Sequence, residues 1–586
     1  MFKREHWVWI AFLLVLGAVL YGNSLKTPFL WDEDALITHE PRVHTWLFFP
    51  EIFTKPFLTR SPGFALYYRP LITLSFRIDH MFWGFNPFGY HLTNLLFHLL
   101  NTLLVYLLFV RFFRNRTLSF FGAFLFLAHP AHVEAVTYIP GRVDLIAFFF
   151  YLSAFYFYLL ARASEKRALP YSLSLLCCAL ALLSKEMAVT LPLVILAHAF
   201  WVGSKERKLK RSDIIFFLGL FWVMALWFFV RRLVTVPVPF DLLLDFPRLP
   251  LRLMVLPKVV ALYLRIWFFP WPLHMDHMVP IDILNVKGLA MEWGLFLGCI
   301  LGMLVMLRKP LERFWLFWAG IALTPALQFV PLYLFKDKLF ISEHFLYFSS
   351  VGVIALLASR LGPFIVTQKQ GADSLGYPAA AGLLGAILTS FCFLVISRNG
   401  DYRDQLTFFE QTARHAPWSY RAYSELGVAY RRVGDFKHAE EAIRKALVLN
   451  PTDGYAYINY GVLADDQGKS QEAEARYTKA LQLSLEGIEK GAAYFNLGAV
   501  RASQRRWQEA VQFYEKAIAV DPAGIMQAYV NIAYAYWELG EKEKALQSLE
   551  RGLKVDPSNE RLKIFKARVE TRLGKENSVM AGGVLE

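Results

Sequence analysis

WVWIAFLLVLGAVLYGNSLKTPFLWDED, residues 7–34, joins an unbroken apolar run to three consecutive acids. The run is close to the ~20 apolar residues that a membrane-crossing helix needs. With Lys3 and Arg4 ahead of it, the segment has the outline of a signal peptide. It has no convincing small-residue cleavage site, and many similar runs follow, so it reads as a retained first helix. Asp32, Glu33 and Asp34 then stand at a membrane boundary. Three acids in a row are costly to place there and point to function. The bland alternative is a solvated turn that caps an interfacial helix.

The whole chain supports the membrane reading. It has 586 residues, of which 56% are hydrophobic and only 19% charged. That balance is wrong for a soluble protein, although the last third looks soluble. A formal charge of +14 suggests nucleic acid at first sight, but none of the usual binding modules is present. The basic clusters instead lie between apolar runs, as in the cytoplasmic loops of a polytopic protein. The four cysteines all fall in apolar runs, without a disulfide framework or a cysteine-based zinc pattern.

Eleven spans are predicted, at about 7–22, 91–110, 117–134, 143–161, 169–184, 187–202, 213–230, 290–307, 313–333, 345–360 and 377–397. With eleven spans and a cytoplasmic N-terminus, every basic cluster falls on the cytoplasmic side: Arg111 to Arg116, Arg162 to Arg167, Lys205 to Arg211 and Arg308 to Arg313. The C-terminal third is then expected outside, in the periplasm or the lumen of the endoplasmic reticulum. Residues 64–84 and 251–271 are partly apolar and read as helices in the interface or re-entrant, because a span at 251–271 would invert every later loop.

From about 401 the texture changes to polar helices with a 34-residue period. Tetratricopeptide repeats are predicted at 420–453, 454–487, 491–524 and 526–559, with Leu426-Gly427, Tyr430, Ala439, Ala446 and Pro451 marking the first. The fold class is therefore all-α: a membrane domain over 1–400 and an α-solenoid over 401–575 with flanking helices. A disordered tail is expected over 576–586.

Polar residues from distant parts of the sequence gather on the predicted outer side. They are Asp32, Glu33, Asp34, Arg69, His91, His129, His132, Glu134, Arg142, Asp144, Lys185, Glu186, Glu343 and His344. There is no Gly-rich phosphate loop, and nucleotide sugars are not generally available outside the cytoplasm. A group donor on that face is most plausibly carried by a lipid. Transfer from a sugar phosphate needs a carboxylate to take the acceptor's proton and cations to hold the departing phosphate. The phosphate leaves as a stable anion, so no general acid is required.

In order along the chain, Phe29-Leu30-Trp31-Asp32-Glu33, Tyr68-Arg69-Pro70-Leu71, His91 to Asn94, Ala128-His129-Pro130 with His132 and Glu134, Gly141-Arg142 with Asp144, Ser184-Lys185-Glu186 and Glu343-His344-Phe345-Leu346-Tyr347 carry a resemblance. They resemble the transmembrane and tetratricopeptide-repeat-containing O-mannosyltransferases of the GT-C superfamily. The resemblance implies an outer-facing acidic pair, a polyprenyl-phosphate sugar donor and transfer to hydroxyl groups of proteins. It maps the pair onto Asp32 and Glu33 and leaves Asp34 just outside it. Fewer repeats than in eukaryotic members suggest a bacterial relative.

The expected roles are Asp32, with Glu33, as base, and Arg69, Arg142, Lys185 and His344 as phosphate cations. Each has a bland rival. Arg69 could snorkel, Arg142 and Asp144 could be a local pair, and so could Lys185 and Glu186. His129-Pro130-Ala131-His132-Val133-Glu134 invites a metal reading, but it lacks the zincin pattern and Pro130 interrupts the helix. The sequence shows no required cofactor; a lipid-linked sugar is the donor substrate, and a divalent metal is the less favoured alternative. His98 and Asn101 read as helix–helix hydrogen bonds. The alternatives for the whole chain are a non-catalytic membrane scaffold with repeat-mediated partners, and transfer to a lipid or glycan acceptor.

Overall fold

The computed structural model describes residues 4–582, apart from 39, 58–66, 204–209, 236–248, 281–285, 328–337, 367–375 and the single positions 484, 486, 523 and 558. Its residues cluster into two units. One holds Met1–Thr38, Pro50–Phe57 and Leu66–Phe408; the other holds Phe409–Glu586 with His39–Phe49 of the first long loop.

Each of the eleven apolar runs coincides with helix, as expected. Seven helices among the described residues are long and apolar enough to cross a membrane. The run 117–134 is a broken helix, Arg116–Leu127 followed by Pro130–Thr137, bent by 53°. Pro130 has no N–H to continue the ladder and enforces the break. Ala168–Leu182 and Glu186–Trp201 are apolar but shorter. The ninth run gives Pro310–Leu323, a helix of 14 residues, and its predicted end at 328–333 lies outside the described residues.

Local chemistry sets the boundaries. Pro87 opens the helix Pro87–Phe113 at a position whose N–H would be orphaned anyway, and the Asn86 side chain accepts from Phe88 N–H. The helix has 27 residues and so is about 40 Å long. The basic helix ends meet one another. Arg162 and Arg167 both bond Asp213 at 2.8 and 2.6 Å, and the Tyr171 hydroxyl donates to the same carboxylate. Arg111 donates to the Leu159 carbonyl, and Arg360 pairs with Glu312 at 2.8 Å.

The two partly apolar segments are short helices, Pro70–Trp83 and Leu256–Phe268. The second follows the helix Leu249–Met254 with only Val255 between them and has 13 residues. It buries Val259, Tyr263, Ile266 and Trp267 and exposes Leu264 and Phe268. An addition to the all-α plan is a two-stranded antiparallel ladder, His277–Pro280 against Lys338–Ile341, with His277 opposite Ile341.

In the second unit the four repeats are four helix pairs: Tyr420–Arg432 with Phe436–Leu449, Gly454–Asp466 with Ser470–Gln482, Gly487–Ser503 with Trp507–Val520, and Met526–Glu538 with Lys542–Val555. Gln405–His415 precedes them as a flanking helix. The repeat spacing works because small residues admit large ones. A Cβ on Gly461 would lie within 2.5 Å of the Tyr477 ring, so the tyrosine packs where only glycine leaves room. The last helix runs Glu560–Gly582, so helical backbone continues into the segment from 576 where a disordered tail was expected.

Candidate active site

The acids sit on a strained turn. Trp31 has φ 46°, a left-handed conformation that is costly for so bulky a residue. It directly precedes Asp32. The two acids of the pair then separate in kind. Glu33 is 1% exposed, and both its oxygens accept backbone N–H groups, Leu30 at 2.7 Å and Ile139 at 2.9 Å. Its carboxylate holds residues 30–33 against the turn at 139. Asp32 is half-buried and is bonded to the Tyr138 side chain. Asp34 begins a π-helical turn, Asp34–Thr38; its side chain lies outside the described set.

Tyr138 joins this corner. Burial raises its phenol well above the ordinary value, and the Asp32 and Glu33 carboxylates push it further. Gly141 closes the turn. A Cβ there would meet the Ala135 carbonyl oxygen at 2.5 Å and the Ala135 Cα at 2.6 Å, and backbone cannot step aside as a side chain can. Gly141→Ala is therefore expected to destabilise the fold by about 1–3 kcal/mol, read as a lowered unfolding temperature in detergent.

The local ion pairs suggested by sequence are replaced by long-range ones. Arg142 does not pair with Asp144. It is fully buried, bonds Asp79 at 2.5 Å, and donates to Asn94 Oδ1 and the Tyr90 carbonyl. Asp144 instead receives Lys185 Nζ at 2.6 Å, both side chains being buried. Glu186 in turn leaves Lys185 for Arg69, which grips it with two nitrogens at 2.5 and 3.1 Å. Adjacent residues on a helix face different ways, so neighbours in sequence seldom pair. Arg142 is thus committed to the fold rather than to a phosphate.

Arg69, Lys185, Glu186 and Asp144 form one cluster. Leu71 N–H donates to the Leu183 carbonyl at 3.3 Å and fixes the start of Pro70–Trp83 beside this turn. The Arg69 guanidinium lies over Tyr67, 4.3 Å from the ring centre, and its side chain keeps 12% exposure. Burial alone would raise the Glu186 carboxyl; Arg69 and Lys185 outweigh it and bring it down to about 2. The stabilisation from that pair is therefore complete above pH 4.5, the ordinary glutamate value, and is lost as pH falls toward 2. Burial pulls Lys185 down, with Asp144 opposing. Its Nζ sits 5.2 Å from the Phe345 ring centre.

Glu134, Glu343 and His344 bring in the segment before the helix Leu346–Val366. Glu134 accepts from Ser342 Oγ, from His344 N–H and from His344 Nδ1, at 2.6, 3.0 and 3.0 Å. Glu343 is buried between His277 Nε2 at 3.3 Å and Arg398 at 3.4 Å. His277, Arg398, Ser342, Asp79 and Tyr138 escaped sequence reasoning. Asp79 and Arg398 carried a signal, since a charge inside an apolar run needs a partner.

The remaining histidines are corrected. His91 Nε2 bonds the Thr27 carbonyl at 3.1 Å. His129 bonds the Trp267 carbonyl and stacks on its ring. His132 is held by the Phe126 carbonyl and Ser350 Oγ. All three are buried to 1% exposure or less, so they tie helices together instead of facing a substrate. His98 and Asn101 bridge helices as expected, both to the Tyr347 hydroxyl.

The family of dolichyl-phosphate-mannose-protein mannosyltransferases matches residues 68–231. Tetratricopeptide-repeat families match 420–453, 452–523 and 490–558. Protein O-mannosyl-transferase TMTC3 of Mus musculus is 25% identical over 526 residues, covering 81% of this chain and 54% of its own length. The Homo sapiens TMTC3 is 24% identical over 80% of this chain and 54% of its own length. Protein O-mannosyl-transferase TMTC1 of Mus musculus reaches 38% over 154 residues, covering 25% of this chain and 16% of its own length. The chain thus spans about half the length of the TMTC3 proteins it matches. Over most of its own length it is similar to proteins named protein O-mannosyl-transferases.

Proposed function

We propose that the chain is a membrane glycosyltransferase. It moves a sugar, mannose or similar, from a polyprenyl-phosphate donor to a hydroxyl group, that of a protein serine or threonine, on the periplasmic or lumenal face. The observation that carries this reading is the division of labour at residues 31–33. Glu33 is buried and accepts two backbone N–H groups, whereas Asp32, directly after the strained Trp31, is half-buried and bonded to the Tyr138 side chain.

Asp32 takes the proton of the acceptor hydroxyl as its oxygen attacks the sugar's anomeric carbon. The bond from that carbon to the phosphate oxygen breaks, and its electron pair stays on the phosphate. Arg69 and Lys185 supply positive charge to that group. Arg69 is suited to it because its guanidinium is a fork, partly exposed and already set to bind a carboxylate with two nitrogens. The donor's phosphate competes with Glu186 for that fork. The repeats recruit the acceptor protein, and the bilayer holds the polyprenyl tail.

Arg69→Lys keeps the charge and loses the fork. It is expected to raise the donor KM about tenfold, because a charge-assisted bond of this kind is worth about 1.5–3 kcal/mol. Steady-state transfer from polyprenyl-phosphate [14C]mannose checks this. An unchanged KM removes Arg69 from the donor site.

A further inference from the structure

His344 is held by one ring nitrogen only. Ser342 Oγ lies 2.7 Å from Nδ1, and Glu134 Oε1 lies 3.0 Å from the same atom. The Ser342 hydroxyl has a single proton, and it is directed at Glu134, whose oxygens stand 2.6 and 2.8 Å away. A bare Nδ1 would face the Glu134 oxygen lone pair to lone pair. Nδ1 therefore carries the proton and donates. The Glu134 carboxylate also accepts the His344 backbone N–H at 3.0 Å, so ring and backbone are fixed by one group.

That leaves Nε2. No hydrogen bond engages it among the described residues, and the side chain is 21% exposed. The ring packs on Phe345 with centres 4.4 Å apart, and the other neighbour of Phe345 is Lys185 Nζ. His344 thus stands one aromatic ring away from the cation cluster. A buried carboxylate that orients a histidine through Nδ1 and leaves Nε2 open is an arrangement for acting on a reactant.

We propose that Glu134 and Ser342 are positioning residues that hold the His344 ring so that Nε2–H donates to the donor's phosphate. This rests on the transfer reaction proposed above. In that reaction the anomeric carbon–oxygen bond breaks and the electron pair stays on the former bridging oxygen. The acceptor proton goes to Asp32. The Nε2–H bond to the phosphate strengthens as charge develops on that oxygen and needs no full proton transfer. Lys185 and Arg69 supply charge; His344 supplies an aimed donor.

Asparagine and glutamine separate the two nitrogens. The Asn amide falls near the place of Nδ1 and keeps the Glu134 contact, while the Gln amide reaches the place of Nε2. The test uses the purified full chain in detergent, polyprenyl-phosphate [14C]mannose and a Ser/Thr-containing peptide, with kcat and donor KM measured separately. His344→Asn is expected to lose ~10²-fold in kcat, the effect of removing one donor from a developing anion. His344→Gln is expected to stay within about tenfold of wild type. Glu134→Gln lowers kcat in the wild-type background and adds nothing in His344→Asn, because the two act as one unit. Equal loss in Asn and Gln variants, or no loss in either, overturns the proposal for His344. If Asp32→Asn is inactive in the same assay, that failure leaves the transferase reading standing. If Asp32→Asn transfers like wild type, the assignment of Asp32 as base falls; if the wild-type chain itself transfers nothing, the transferase reading falls as well.

Discussion

Asp32→Asn is expected to lower sugar transfer by at least ~10²–10⁴-fold, the usual contribution of a general base, while the unfolding temperature stays that of the wild type. Glu33→Gln is expected to do something different. Glu33 receives the N–H groups of Leu30 and Ile139 on separate oxygens. An amide has one oxygen, so one of those donors then faces an NH₂. An unsatisfied buried donor costs about 1–3 kcal/mol, so Glu33→Gln lowers thermal stability and activity together. The pair of variants thus separates chemistry from scaffolding at adjacent positions. Transfer assays and thermal unfolding on the same two preparations check it. A stable and active Asp32→Asn contradicts the assignment of the base.

Arg142→Met carries the second large effect, and it falls on the fold. The Arg142 side chain is fully buried, and Asp79, its partner at 2.5 Å, is nearly so. Removing one member of a buried pair leaves an uncompensated charge and costs about 3–5 kcal/mol. The loss reaches further, because Arg142 also bonds Asn94 Oδ1, and Asn94 donates to the Val136 carbonyl. Asp79→Leu together with Arg142→Met removes both charges and is expected to recover much of the loss. Thermal unfolding of the two single variants and the double variant measures the coupling. Strict additivity of the single effects contradicts the pair.

These two expectations mark where sequence reasoning reaches and where it stops. The apolar runs, the broken third span and the repeats were legible because they depend on local pattern: apolar length, Pro130, and a 34-residue period of small and large residues. The residues of the site were legible as types in places, since charges at a membrane boundary are conspicuous. Their partners were not. Arg142 with Asp79, Lys185 with Asp144 and Arg69 with Glu186 join positions far apart in the chain or on different turns. Only the packing of helices decides such pairings. The same limit explains the histidines. His129 and His132 in sequence look like ligands or substrate contacts, but the bend at Pro130 turns both rings into the bundle, where carbonyl groups and Ser350 satisfy them. Glu33 shows it most sharply, because nothing in Asp32-Glu33 says which acid is spent on backbone.

The similarity to proteins named O-mannosyl-transferases extends over both the membrane unit and the repeats, and the function proposed above assigns the repeats to the acceptor. That claim is tested most directly in cells. Mass spectrometry of extracytoplasmic proteins is compared between cells with the wild-type chain and cells with Asp32→Asn at equal abundance. The reading developed above predicts hexose on serine or threonine residues in the first and its absence in the second. The same modification in both would contradict it.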